Sequence, residues 1–275
     1  MNKYTPSATS KFVRTPDVEI HYHELGQGEP VIVLHGGGPG ASGWANFHRN
    51  LDALAQHYRL YVLDQPNFGK SGSVIIREPR AQFQARAVRN TMDALGIPKA
   101  HFLGNSMGGA TSINVALDYP DRVNKMILVS PGGGGRSIFS AYPYEHTKVI
   151  RQVAANPTPE GMRRLMELVV YDSSFLTDAF LAERTKDALH QAHRDASRQS
   201  STDDRDLMAE MHRVRARTLL VWGREDRAVP LDVGIRMFVA LHDCRMHIFS
   251  QCSHWPQFEH ADAFNRLALD FLGNA

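Results

Sequence analysis

The sequence predicts an α/β protein: a mainly parallel sheet with helices on both faces, interrupted by one inserted helical segment. Three observations lead there. Short strand-like runs, among them Val31–Leu34, Leu60–Leu63, Val123–Ser130 and Thr218–Trp222, alternate with stretches of helical spacing. That alternation is the mark of parallel strands covered on both sides by crossover helices. The run KAHFLGNSMGGATSINVAL, Lys99 to Leu117, passes from strand texture through Gly-x-Ser-x-Gly into a buried helix. From about Arg136 to Val214 strand texture stops, and Met, Arg, Glu, Ala and Asp recur at helical spacing. Residues 1–135 and 215–275 are therefore expected to form the core, with 136–214 a helical lid.

Taken in order, residues 1 to 16 are polar, contain two prolines and read as an arm or edge segment. Val18 to His23 alternates like a surface-exposed antiparallel strand and stops at the Gly26-Gln27-Gly28 turn. The buried run Val31–Leu34 leads into His35-Gly36-Gly37-Gly38-Pro39-Gly40. Trp44 to Tyr58 has helical spacing, with Trp44, Phe47 and Leu51 on one face. Leu60–Leu63 is a further buried strand, and Pro79 to Leu95 a helix stopped by Gly96. After the insert, strands are expected at Thr218–Trp222 and Met246–Phe249, and a closing helix at Phe258–Leu272. In such sheets ligands sit beyond the carboxyl ends of the strands, where both Ser106 and the glycine loop at 36 to 40 fall.

The composition narrows the partners. With 43% hydrophobic residues the chain has material for a full core. A net charge of +2 without a long basic run argues against nucleic acid. Two cysteines, Cys244 and Cys252, make no disulfide framework, and no Cys-x-x-Cys pair suggests zinc, so no metal or cofactor is expected. Neither a signal-peptide core nor a run able to span a bilayer occurs, which makes a cytoplasmic protein away from membranes the expectation.

The pentapeptide around Ser106 fits two uses, an ordinary helix-capping serine or a nucleophile elbow. In the elbow, glycine two residues to either side avoids a backbone clash and the hydroxyl is lifted clear. A serine hydroxyl is a poor nucleophile until a base takes its proton. Of 14 histidines, His254 is the candidate, following a strand and preceding the final helix. His48, His57, His190, His193 and His212 fall in polar helical stretches and read as solvated surface; His101 reads as packed within a strand. The histidine needs an orienting acid. Asp226, just past a buried strand, is the candidate, with Glu225 and Asp232 as competitors; Asp232 reads as a helix cap. The order Ser106, Asp226, His254 is that of an α/β-hydrolase. Backbone N–H groups of the glycine loop and of Met107 would complete an oxyanion hole. The loop lacks Gly-x-Gly-x-x-Gly spacing and a terminal Gly-Lys-Ser/Thr, which argues against a nucleotide site.

HGGGPGASGW from His35 to Trp44, then Asn46, GNSMGGAT from Gly104 to Thr111, GREDR from Gly223 to Arg227 and the tail CSHWPQFEH from Cys252 together resemble one family. It is the meta-cleavage product hydrolases, carbon–carbon bond hydrolases of bacterial aromatic degradation within the α/β-hydrolase superfamily. The resemblance spans nearly the whole chain and is weakest in the insert. It implies hydrolysis of 2-hydroxy-6-oxo-hexa-2,4-dienoates, substituted at carbon 6, to 2-hydroxypenta-2,4-dienoate and a carboxylic acid. It also implies Ser106, Asp226 and His254 as the triad and Gly37 and Met107 as oxyanion donors. Gly36, Gly38, Asn46, Asn105, Arg184 and Trp255 would hold the substrate, and the family implies a homo-oligomer. On the residues alone Arg184 has a second reading, a snorkelling side chain, and the asparagines another as turn stabilisers.

Two departures leave the carbon-6 group open: Ala228 stands where members acting on aryl substrates often carry a bulky aromatic, and Asp203-Asp204-Arg205-Asp206 is unusually charged. The expected chemistry is ketonisation of the dienol followed by serine-dependent hydrolysis, with first attack by serine or by activated water left open. A carboxylesterase or proline iminopeptidase is the alternative enzyme, and a catalytically dead binding protein on the same scaffold the alternative of another class.

Overall fold

The computed structural model describes residues 3–274. Eight strands pair into one sheet: β1 (Ser10–Arg14), β2 (Glu19–Leu25), β3 (Pro30–Leu34), β4 (Arg59–Leu63), β5 (Ala100–Asn105), β6 (Val123–Val129), β7 (Arg217–Gly223) and β8 (Cys244–Phe249). Their order is β1-β2-β4-β3-β5-β6-β7-β8. Strands β3 to β8 run parallel, and β1 and β2 add an antiparallel edge. The helices are α1 (Pro6–Thr9), α2 (Gly43–Leu54), α3 (Arg80–Ala94), α4 (Met107–Asp118), α5 (Glu145–Ala155), α6 (Pro159–Val169), α7 (Asp178–Ala188), α8 (Gln191–Gln199), α9 (Leu207–Glu210), α10 (Leu231–Ala240), α11 (Pro256–Glu259) and α12 (Ala261–Gly273).

Strand periodicity sorts the core into two layers. Ile32 and Leu34 of β3 turn to the face covered by α3, α4 and α10, while Val31 and Val33 turn to the face covered by α2 and α12. Phe47 and Phe264 seal the second layer with no exposed surface, and truncating either to alanine would cost about 3–5 kcal/mol. The chain runs from β3 to β4 on one side and returns to place β5 on the other. Leu34 and Gly104 are register partners, so the glycine loop after β3 and the serine turn after β5 emerge side by side. That is the switch point at which open α/β sheets bind ligands.

Between β6 and β7 the chain forms α5 to α9, and no strand lies among those residues. This insert has a small core of its own, including Val149, Met162, Leu165 and Leu168, which closes on Trp255 and Phe258. The insert is tied down by named bonds. His254 N–H donates to Val169 O at 2.9 Å, and Tyr171 N–H to Glu259 Oε2 at 2.5 Å.

Several sequence expectations need correction. Strand β2 is buried, not surface-exposed, because β1 pairs along its edge, Ile20 and Tyr22 join the core layer under α3, and His23 meets Trp44 of α2. Its two histidines find partners there: His21 Nδ1 with Asp64 Oδ2 at 2.7 Å, and His23 Nδ1 with Thr9 Oγ1 at 2.9 Å. Helix α2 ends at Leu54, short of Tyr58, where Gly26 packs so closely that a Cβ would lie 2.4 Å from Ala55 O. The closing helix is two pieces, broken at His260, whose backbone leaves the helical region. Asp232 lies inside the first turn of α10 and does not cap it; its carboxylate accepts from Ser137 Oγ and Ile138 N. His193 is buried, bonded to Ser73 Oγ at 2.7 Å and Gly69 O at 3.1 Å. Of the cysteines, Cys252 is buried and Cys244 only half-buried. His101 is packed as expected, with Nε2 3.0 Å from Glu29 Oε2.

Candidate active site

Ser106 sits between β5 and α4 at φ 52° and ψ −112°. Few non-glycine residues tolerate that region, and strain of this kind persists only where the surroundings enforce it. They do so here. Ser106 N–H donates to Val129 O at 2.9 Å, and its carbonyl accepts from Gly132 and Ala110 N–H at 3.0 Å each. The flanking glycines are sterically required: a Cβ on Gly104 would lie 2.4 Å from Gly108 O, and one on Gly108 2.1 Å from Leu34 O. The Ser106 hydroxyl has no hydrogen-bond partner among the described residues, and it opens into a cavity of about 370 Å³.

His254 lines the same cavity. Its Nδ1 lies 2.8 Å from Asp226 Oδ2, and the Asp226 side chain behind it is fully shielded from solvent. Asp226 in turn accepts the Ala228 and Val229 N–H groups on Oδ1, at 2.8 and 2.9 Å. A carboxylate held this way fixes the imidazole with its proton on Nδ1 and leaves Nε2 free to take another. Glu225 is engaged elsewhere, accepting from Cys252 N–H and pairing with Arg224.

The glycine loop is held by His35. The Gln65 N–H donates to His35 Nε2 at 3.0 Å, so Nδ1 carries the ring proton and donates to Gly36 O at 2.7 Å. Burial keeps this ring neutral by pushing its pKa down. In a trans peptide the N–H points opposite to the carbonyl, so anchoring Gly36 O aims the Gly37 N–H away from His35. Neither the Gly37 nor the Met107 N–H is taken by a protein acceptor among the described residues. The two are close, since a Cβ on Gly37 would meet the Met107 side chain at 3.4 Å. Met107 is also the first residue of α4, where the unsatisfied N–H groups of a helix favour negative charge.

A polar end of the cavity lies around Asn46, Asn105, Arg184 and Trp255. Asn46 Oδ1 accepts the Gly36 N–H at 3.0 Å and leaves Nδ2 buried without a partner. Asn105 Nδ2 donates to Val129 O and His254 O, and its Oδ1 is likewise unsatisfied. Arg184 as a residue is 7% exposed, and its guanidinium carbon lies 5.7 Å from the Trp255 ring centre. It makes no ion pair among the described residues, and its Nε has no acceptor. Burial pulls its pKa down to about 10, which still leaves it cationic at neutral pH. Three unpaired polar groups buried in one place are unusual in a folded protein and mark where a polar ligand belongs. Gly36 and Gly38 line the same cavity.

The sequence reading missed several walls. His146, on α5, faces the cavity with its ring centre 6.2 Å from that of His254, and burial lowers its pKa to about 4. Ile150, Leu165, Met166 and Val169 form an apolar wall from the insert. The four-residue spacing of His146 and Ile150, one helical face, was the available signal. Of the charged run, Asp204 lines the cavity, whereas Arg205 pairs with Asp118 and Glu210 and Asp206 caps α9. Ala228 does not reach the cavity. Among the described residues no group of His, Cys, Asp and Glu gathers as a metal site, and no helix is long and apolar enough to cross a membrane.

Comparison with known proteins agrees with this geometry. Residues 29–261 match the family of the α/β-hydrolase fold. The chain is 44% identical to a 2-hydroxy-6-oxo-6-phenylhexa-2,4-dienoate hydrolase of Comamonas testosteroni, covering 99% of each chain. It is 41% identical over 100% of each chain to a 2-hydroxy-6-oxononadienedioate/2-hydroxy-6-oxononatrienedioate hydrolase of the same species. A meta-cleavage product hydrolase from Pseudomonas fluorescens IP01 superposes with a TM-score of 0.86 at 29% identity, over 96% of this chain and 98% of that one. The chain belongs to the α/β-hydrolase family and, within it, to the meta-cleavage product hydrolases.

Proposed function

We propose that the protein hydrolyses the C5–C6 bond of a 2-hydroxy-6-oxo-hexa-2,4-dienoate, with Ser106, His254 and Asp226 as its catalytic residues. One observation carries the reading: a serine on a strained turn, a buried Asp–His pair and an unpaired buried guanidinium open onto one cavity. An esterase needs the first two features. The third suits a substrate that carries its own carboxylate. This also disfavours the iminopeptidase alternative, whose substrate would present a cation.

In this reading Arg184 and Asn46 Nδ2 hold the dienoate carboxylate, and Asn105 Oδ1 accepts from the 2-hydroxyl. Trp255 walls the planar diene. The first step moves the 2-hydroxyl proton to C5, giving a 2-oxo-3-ene with a saturated carbon next to the C6 ketone. Ser106 Oγ then adds to C6 as its proton passes to His254 Nε2, and Gly37 and Met107 N–H groups hold the oxyanion. Collapse breaks C5–C6; its electron pair runs into the conjugated 2-oxo group, and a proton from His254 completes 2-hydroxypenta-2,4-dienoate. Water, deprotonated by His254, clears the acyl-serine as a carboxylic acid. The ketonised chain is what makes carbon a tolerable leaving group. Residues 136–214 act as the lid over this cavity, supplying the apolar wall for the carbon-6 substituent.

A panel of dienoates bearing methyl, isopropyl, phenyl and 2-carboxyethyl groups at carbon 6, run beside p-nitrophenyl esters and prolyl amides, tests the proposal. Preferred turnover of a dienoate supports it; turnover of the esters or amides alone overturns it. We also propose a homo-oligomer joined through the β8 edge, because β8 ends the sheet and Ile248 of β8 and Phe238 and Val239 of α10 are each exposed. Sedimentation of Val239→Lys, expected as monomer, checks this.

A further inference from the structure

A second cavity of about 610 Å³ adjoins the catalytic one. The two share five wall residues, Gly38, Ala41, Phe68, Arg80 and Ile150. Gly38 and Ile150 face each other at the boundary: a Cβ on Gly38 would come 3.4 Å from Ile150 Cδ1 and 3.8 Å from an Arg184 guanidinium nitrogen. The outer cavity lies between α5, α7 and α8 of the insert and the loops following β3 and β4. Four arginines line it, Arg80, Arg151, Arg194 and Arg198, against a single carboxylate, Asp187.

Those arginines are poorly neutralised. Neither Arg80 nor Arg151 makes a side-chain hydrogen bond or ion pair among the described residues. Arg194 donates to Ala155 O at 3.0 Å and has a buried Nε without an acceptor. Arg198 has a loose contact with Asp195 at 3.9 Å. Elsewhere in this chain Arg86 and Arg205 each sit between two carboxylates. Concave walls of low dielectric carrying one sign of charge focus the field and raise the local concentration of the opposite ion.

We propose that this arginine-lined vestibule is the access port through which the anionic substrate reaches the catalytic cavity, passing the Gly38–Phe68–Ile150 partition toward Arg184. The inference rests on the proposal that the site takes a dienoate. The port captures the carboxylate from solution and passes it inward to a guanidinium that is buried and unpaired, so attraction increases along the path. A lid sealed over an apolar wall needs such an opening, and the glycine loop leaves room for it because Gly38 carries no side chain.

Stopped-flow absorbance of a coloured dienoate separates the two proposals. Turnover by the wild-type enzyme at saturation tests the function; the bimolecular association rate tests the port. The wild-type rate should fall about tenfold between roughly 20 and 300 mM NaCl. The double reversal Arg151→Glu/Arg198→Glu should lower it about tenfold at low salt and flatten the salt dependence. The charge-keeping pair Arg151→Lys/Arg198→Lys should retain the wild-type rate and slope. Ala154→Trp, which narrows the vestibule without altering charge, should slow association and keep the salt slope. An association rate that neither the reversal nor Ala154→Trp changes, in an enzyme that still turns the dienoate over, overturns the port and leaves the function standing.

Discussion

Asp226 divides its two oxygens between His254 and the backbone: Oδ2 lies 2.8 Å from His254 Nδ1, while Oδ1 accepts the N–H groups of Ala228 and Val229. The turn after β7 thus builds the carboxylate's position, and the carboxylate sets the tautomer of the ring. Asp226→Asn would present an amide N–H to Nδ1 and push the ring proton to Nε2, where the serine proton must go. We expect kcat on a dienoate to fall about 10⁴-fold, with the fold intact by circular dichroism. Ser106→Ala should cost about 10⁶-fold. Loss of less than tenfold in either variant would remove that residue from the mechanism.

Arg184 sets function against stability. A buried cation with no ion pair among the described residues is destabilising, a cost that a substrate carboxylate would offset. Arg184→Met keeps the side-chain volume near Trp255 and removes the charge. Its expected effect is a rise in stability of about 1–2 kcal/mol by urea denaturation, with KM for dienoates raised at least tenfold. A less stable Arg184→Met protein with unchanged KM would place the guanidinium outside substrate binding.

Much of this was legible in the sequence because it depends on local chemistry. Gly104 is required by a clash within its own turn, with Gly108 O, and buried strands read as apolar runs wherever helices cover both faces; the turn pattern supplies Gly108 too, although its clash is with Leu34 O of β3. Long-range packing was not legible. His21 and His23 alternate in β2 as a solvated strand would, and contacts distant in sequence bury them, with Asp64 after β4, Trp44 of α2 and the neighbouring strand β1. His193 sits in a polar helix, yet the loop after β4 closes over it through Ser73 and Gly69. The apolar wall from Leu165 to Val169 was invisible for the same reason, since its spacing serves both the insert's own core and the cavity.

Gly36 couples the oxyanion loop to the serine turn. A Cβ there would stand 2.7 Å from Asn105 Oδ1 and 3.3 Å from Ser106 Cβ. Gly36→Ala must therefore displace side chains of the site, while the buried strands beneath remain paired. Activity should fall at least 100-fold, with stability changed by no more than about 1–2 kcal/mol. Combining Gly36→Ala with Asn105→Ala tests the contact: the pair should lose less activity than the product of the single losses. Strict additivity would show that the two residues do not meet.

His23 gives the fold an acid limit. It is buried in β2 beside His21 and Trp44, and burial, aided by repulsion from His21, depresses its pKa to about 4. In the unfolded chain a histidine titrates near 6.5. As pH falls through about 6.5 the unfolded state binds a proton that the folded state refuses, so stability drops. The loss continues until the folded ring itself titrates near 4, and this group adds nothing further below that. Above about 6.5 both states are neutral and its contribution is fully present. Urea denaturation at pH 7 and pH 4.5 should show a fall for the wild type that exceeds the fall for His23→Asn by on the order of 2 kcal/mol. Equal falls in the two proteins would mean that another group sets the acid limit.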